Sequence, residues 1–94
     1  MASIKNLKKD IEYLTYEVIS DCYTYMYLFP QKKEKEVLGI IENTVKMRND
    51  LIIRVNHPDG KDNPKLVKAH YKKIVKDLIT NVDKAFEELS TLIK

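Results

Sequence analysis

Apolar positions recur at helical spacing in three successive stretches of this chain. Ile4, Leu7, Ile11, Leu14, Val18, Cys22, Tyr25 and Phe29 return every three or four residues until Pro30 interrupts them, which is the period of one face of an α-helix. With Ser3 placed to cap it, the pattern predicts a first helix over about residues 3–29. Val37, Ile40, Ile41, Thr44, Val45, Leu51, Ile52 and Val55 predict a second over about 32–56. His57-Pro58-Asp59-Gly60 reads as a turn, after which Asn63 is placed to cap and Pro64 suits a first helical position. Val67, Tyr71, Ile74, Leu78, Val82, Ala85, Leu89 and Leu92 then predict a third helix over about 64–93. Only two glycines and three prolines occur in 94 residues, too few for the turns of a β fold. Short connections set sequential helices antiparallel. The predicted fold is therefore all-α, an up-down-up three-helix bundle of long antiparallel helices, forming a single domain over residues 1–94.

The first helix carries more than one stripe. Tyr13, Tyr16, Ser20, Tyr23 and Tyr27 gather opposite the side centred on Ile11 and Val18 when residues advance by about 100° per step. A surface helix needs only one apolar face to hold it to a core. Tyrosine combines a large apolar body with a hydroxyl that tolerates water and is enriched in interfaces. These five residues are the candidate interface, for a second copy of the chain or for another protein.

Charge changes the picture at one end. Lys61, Lys65, Lys68, Lys72, Lys73 and Lys76 crowd the first half of the third helix, while Asp77, Asp83, Glu87 and Glu88 fill its second half. That distribution opposes the helix dipole, so helix stability does not account for it. Parallel first and third helices bring Lys5, Lys8 and Lys9 toward the same end, where Arg54 closes the second helix. The whole set predicts a basic pole, and with it an alternative function of binding nucleic acid or an acidic partner. Asp10, Asp50, Asp59 and Asp62 dilute the pole, the net charge is only +3, and aromatic stacking platforms do not interleave the lysines.

The composition, 44% apolar and 33% charged, is that of a packed domain and not of a disordered chain. Frequent charges at the start leave no apolar run for a signal peptide, and no stretch approaches the roughly 20 apolar residues of a membrane span. A cytoplasmic protein without membrane contact is expected. The single cysteine, Cys22, then reads as a small buried hydrophobe. Arg48 falls inside the second helix's apolar stripe and Asp21 at the border of the first helix's core face. In the antiparallel pairing Glu17 is the expected carboxylate for Arg48, with Asp21 a longer reach.

Catalytic chemistry has no visible carriers. Ser3, Ser20 and Ser90 lack the context of an activated nucleophile. His57 and His70 are too few and too scattered for a metal site, even with Asp10 and Asp50 near the same end, and the glycines do not form a phosphate loop. No enzyme activity, cofactor, metal or small-molecule substrate is expected.

His57-Pro58-Asp59 between two helices, followed by a basic helix and by Ala85-Phe86-Glu87-Glu88-Leu89-Ser90, resembles the tripeptide loop of J-domain co-chaperones. The resemblance implies contact with an ATP-dependent chaperone and stimulation of its ATPase, helped by Lys46, Arg48 and Arg54 of the preceding helix. The first helix is longer than in that family, as is the stretch from tripeptide to closing motif, and the likeness spans under half of the chain. The reading that absorbs most of the sequence is a non-enzymatic helical protein-protein interaction module, self-associating through the tyrosine stripe.

Overall fold

A computed structural model describes residues 4–58 and 62–93. Three helices, α1 (Ile4–Leu28), α2 (Glu34–Asn56) and α3 (Pro64–Ile93), pack against one another. No strand occurs among the described residues. The fold is the expected all-α three-helix bundle, a rod of 51 × 19 × 18 Å. Ser3 and the Asp59-Gly60 half of the second turn lie outside the described residues.

Local chemistry sets the ends of the helices. At the start of α3 the Asn63 side-chain oxygen accepts from the N–H groups of Lys65 (3.0 Å) and Leu66 (3.3 Å). Pro64, which has no N–H to satisfy, takes the first helical position. The α1–α2 connection is a tight turn closed by the Lys32 N–H on the Phe29 carbonyl at 3.2 Å. Pro30 sits where its fixed φ is wanted, and Gln31 follows at φ 65°, the arrangement of a type II turn. Lys33, at φ 52°, is also left-handed and has no side-chain cap. The second helix therefore begins at Glu34 and not near residue 32, because Gln31 and Lys33 are spent on reversing the chain.

The core lies along the common axis. Leu7, Ile11, Val18, Cys22 and Tyr25 of α1 meet Val37, Ile40, Leu51 and Val55 of α2 and Ile74, Leu78, Val82 and Leu89 of α3. Each large aliphatic side chain so buried contributes roughly 1.5–3 kcal/mol. Thr15 and Thr44 are tolerated inside because their hydroxyls donate back to the carbonyls of Ile11 (2.8 Å) and Ile40 (2.7 Å). Tyr25 and Tyr71, the tyrosines drawn toward the core, donate to the carbonyls of Leu92 (3.2 Å) and Val55 (3.3 Å). These bonds tie the end of α1 to the end of α3, and α3 to the end of α2, so α1 and α3 run parallel as expected. Cys22 is fully buried, and that burial, with Asp21 adding to it, pushes its thiol up to about 11.

Among the described residues, Phe29, Val45 and Val67 were assigned to the core by spacing but are not part of it. Phe29 follows the last turn of α1 and is partly exposed while touching the Tyr25 ring. Val45 is 39% exposed on the flank of α2.

The left-handed turn gives a test. A residue with a Cβ is disfavoured there by about 1–2 kcal/mol, against 0.5–1 kcal/mol of extra chain entropy for glycine. Gln31→Gly should thus raise stability by about 0.5 kcal/mol in urea unfolding. A clear loss would show that the Gln31 side chain contributes something beyond the turn.

Candidate functional site

Once the core is built, α1 still presents a second face. Tyr13, Tyr16, Tyr23 and Tyr27 are between 59 and 84% exposed, and Ser20 lies among them half-buried. The helix repeat puts them opposite Ile11 and Val18, so neither α2 nor α3 covers them among the described residues. Shallow depressions run between the rings, one lined by Tyr16, Ile19, Ser20, Tyr23, Thr24 and Tyr27 and another by Tyr13, Tyr16, Glu17, Ser20 and Asp21. The Thr24 hydroxyl donates to the Ser20 carbonyl at 3.0 Å, which removes one polar group from the face. Glu17, one turn after Tyr13, raises the phenol's pKa through hydrogen bonding and its negative charge. Tyr13 therefore stays a neutral donor further into the alkaline range than a free tyrosine.

On α2, Leu38 and Val45 are exposed, and Val45 is the one of the two that spacing had assigned to the core. Arg48 of α2 forms an ion pair with Glu12 of α1 on the flank beside Tyr16. Moving in opposite directions from that pair, as antiparallel helices must, brings Val45 level with Tyr16, Ile41 with Ile19 and Leu38 with Tyr23. Leu38 is 47% exposed, and Ile41 and Ile19 are half-buried. Leu38, Ile41, Val45 and Ile52 form a second apolar series in α2, interleaved with Val37, Ile40, Thr44, Leu51 and Val55. Ile41 and Ile52 still pack against the core as their spacing predicts, and only Val45 of the expected set turns outward.

The Arg48–Glu12 pair corrects the expected partner. Glu17 is engaged by Tyr13 and Asp21 is exposed. Arg48 is itself half-exposed and reaches outward to Glu12 and to the Asn49 side chain at 2.9 Å, because an outward path leaves the guanidinium hydrated.

The basic residues are divided among the three helices. Glu12 faces α2, and Lys5, Lys8 and Lys9 stand seven, four and three residues before it on the same side of α1, away from α3. Arg54 is held between helices by Asp77 of α3 at 2.9 Å and Asp50 at 3.7 Å. What remains is a row on α3, in which Lys65, Lys68, Lys72, Lys73 and Lys76 are all exposed and none makes a salt bridge with another described residue. Lys61 lies outside the described residues.

Histidine geometry is structural. His70 Nε2 is 2.6 Å from the Arg54 carbonyl, and His57 caps α2 with its N–H on that same carbonyl at 3.3 Å. Asp50 and His70 are thus drawn to the Arg54 backbone and side chain, and no group of three His, Cys, Asp or Glu side chains converges among the described residues. In the loop that resembles the J-domain tripeptide, His57 is exposed and Pro58 half-buried, while Asp59 is not described. No described helix is long and apolar enough to cross a membrane. Comparison with known proteins finds no matching family model, no matching curated protein and no matching solved structure.

The lysine row carries its own test. Reversing a positive charge in the first turn of a helix gains about 0.3–1 kcal/mol from the dipole. Lys65→Glu should accordingly stabilise the fold in urea unfolding at low salt, with the gain shrinking as salt rises. Destabilisation would mean that the lysine serves the fold.

Proposed function

We propose that this chain is a non-enzymatic helical protein-protein interaction module, working in the cytoplasm and associating with itself through the tyrosine face of α1. The observation that carries the reading is the exposure of Tyr13, Tyr16, Tyr23 and Tyr27 on one side of α1, with Leu38 and Val45 exposed on α2. A large apolar patch rimmed by charge marks an interaction surface more often than chance solvent exposure. The rim here is Glu12 with Arg48 on the α2 side and Glu17 with Asp21 on the other. Charged rims around apolar centres are the anatomy of protein interfaces.

A second reading, binding of nucleic acid or an acidic partner, rests on the exposed lysine row of α3. The two separate by salt. Phosphate contacts weaken steeply as salt rises, whereas an apolar interface persists or tightens.

Tyr16→Lys combined with Tyr23→Lys leaves the core untouched and places charge in the middle of the face. At concentrations where the parent chain is a dimer by light scattering, this variant should have the monomer mass and the same helical circular dichroism. An unchanged dimer mass would rule out the tyrosine face as the contact.

A further inference from the structure

We infer that the partner on the tyrosine face is a second copy of this chain lying antiparallel along α1, an arrangement that rests on the self-association proposed above and fixes its direction. Lys9, Tyr13, Tyr16, Ser20, Tyr23 and Tyr27 alternate steps of four and three residues. The mean step of about 3.5 residues is that of a coiled-coil seam. It is independent of the core seam, because Leu7, Ile11, Val18 and Cys22 are already buried within the bundle.

The face is large enough for a copy of itself. A buried tyrosine covers about 150–250 Å², so four that are 59–84% exposed present roughly 550 Å² of surface. Leu38, Val45 and the Lys9 stem bring this near the about 800 Å² per partner of a stable interface.

The residues at the ends and centre of the seam choose the direction. In a parallel pair like meets like, so Lys9 faces Lys9 inside the seam. Ser20 then faces Ser20, leaving a gap between layers of rings, and Glu12 comes beside the partner's Glu17. Attraction between Lys5 and Asp10 offsets only part of this. In an antiparallel pair aligned so that every seam position stays within Ile4–Leu28, Lys9 faces Tyr27, Tyr13 faces Tyr23 and Tyr16 faces Ser20. The ammonium gains an aromatic face, and the small Ser20 receives the partner's Tyr16 ring beside it. Glu17 then approaches its own counterpart, but on the solvated flank, where water and salt screen the repulsion.

Amine cross-linking of the unmodified chain tests the direction, using an equal mixture of ¹⁴N- and ¹⁵N-labelled protein so that links between protomers are distinguished by mass. Within one protomer Lys5 and Lys32 stand at opposite ends of α1, about 35 Å apart, far beyond a short bifunctional reagent. The antiparallel pair places Lys5 and Lys8 beside the partner's Lys32 and Lys33. The expected result is mixed-isotope links between these ends in samples that scatter as dimers, lost in the Tyr16→Lys/Tyr23→Lys chain. A dimer linked instead through Lys9 to Lys9, or without end-to-end links, overturns the antiparallel arrangement and leaves self-association standing. A monomer at every concentration overturns both.

Discussion

A helix in a three-helix bundle can bury one stripe, and α1 carries two. Everything distinctive about this molecule follows from that excess. The core stripe of α1 is fully used, with Ile11, Val18 and Cys22 sealed from water between α2 and α3, so the tyrosines on the far side stay exposed among the described residues. Tyr25 and Tyr71 show what the fold does with tyrosines it can use, packing each ring and giving each hydroxyl a backbone carbonyl. The remaining four on α1 have no such place. Their exposure reflects where they fall on the helix repeat, and leaving so much ring surface in water is unfavourable unless something covers it.

Polar contacts between helices serve alignment more than strength. The Glu12–Arg48 pair and the Arg54 clasp to Asp50 and Asp77 are partly exposed, and ion pairs in such settings are worth at most about 1 kcal/mol. Their value lies in position. Arg48 marks the level at which α2 lies beside α1. Arg54 and His70 hold the other end, where α2 gives way to the turn and α3 begins.

Helix number, order and direction were legible in the sequence because three long apolar periods, one proline-marked reversal and an Asn-Pro cap all agree. The two-residue delay in the start of α2 was not, since nothing in Gln31 or Lys33 announces a left-handed conformation normally left to glycine. The tyrosine face was legible as a period, while on α2 Val45 was counted with the core and turns outward. Arg48 was legible as out of place, but its partner depended on which way a long flexible side chain turns. The lysines of α1 and α3 share one end of the bundle as their helices' direction requires, but Arg54 is taken up there by Asp50 and Asp77.

The central claim is that the tyrosine face of α1 is covered by another protein surface, in the first instance its own. Sedimentation equilibrium of the unmodified chain, at low and high salt over a wide concentration range, tests it most directly. A dimer that persists or tightens as salt rises is the predicted result. A monomer throughout, or a dimer that dissociates as salt is added, would contradict it.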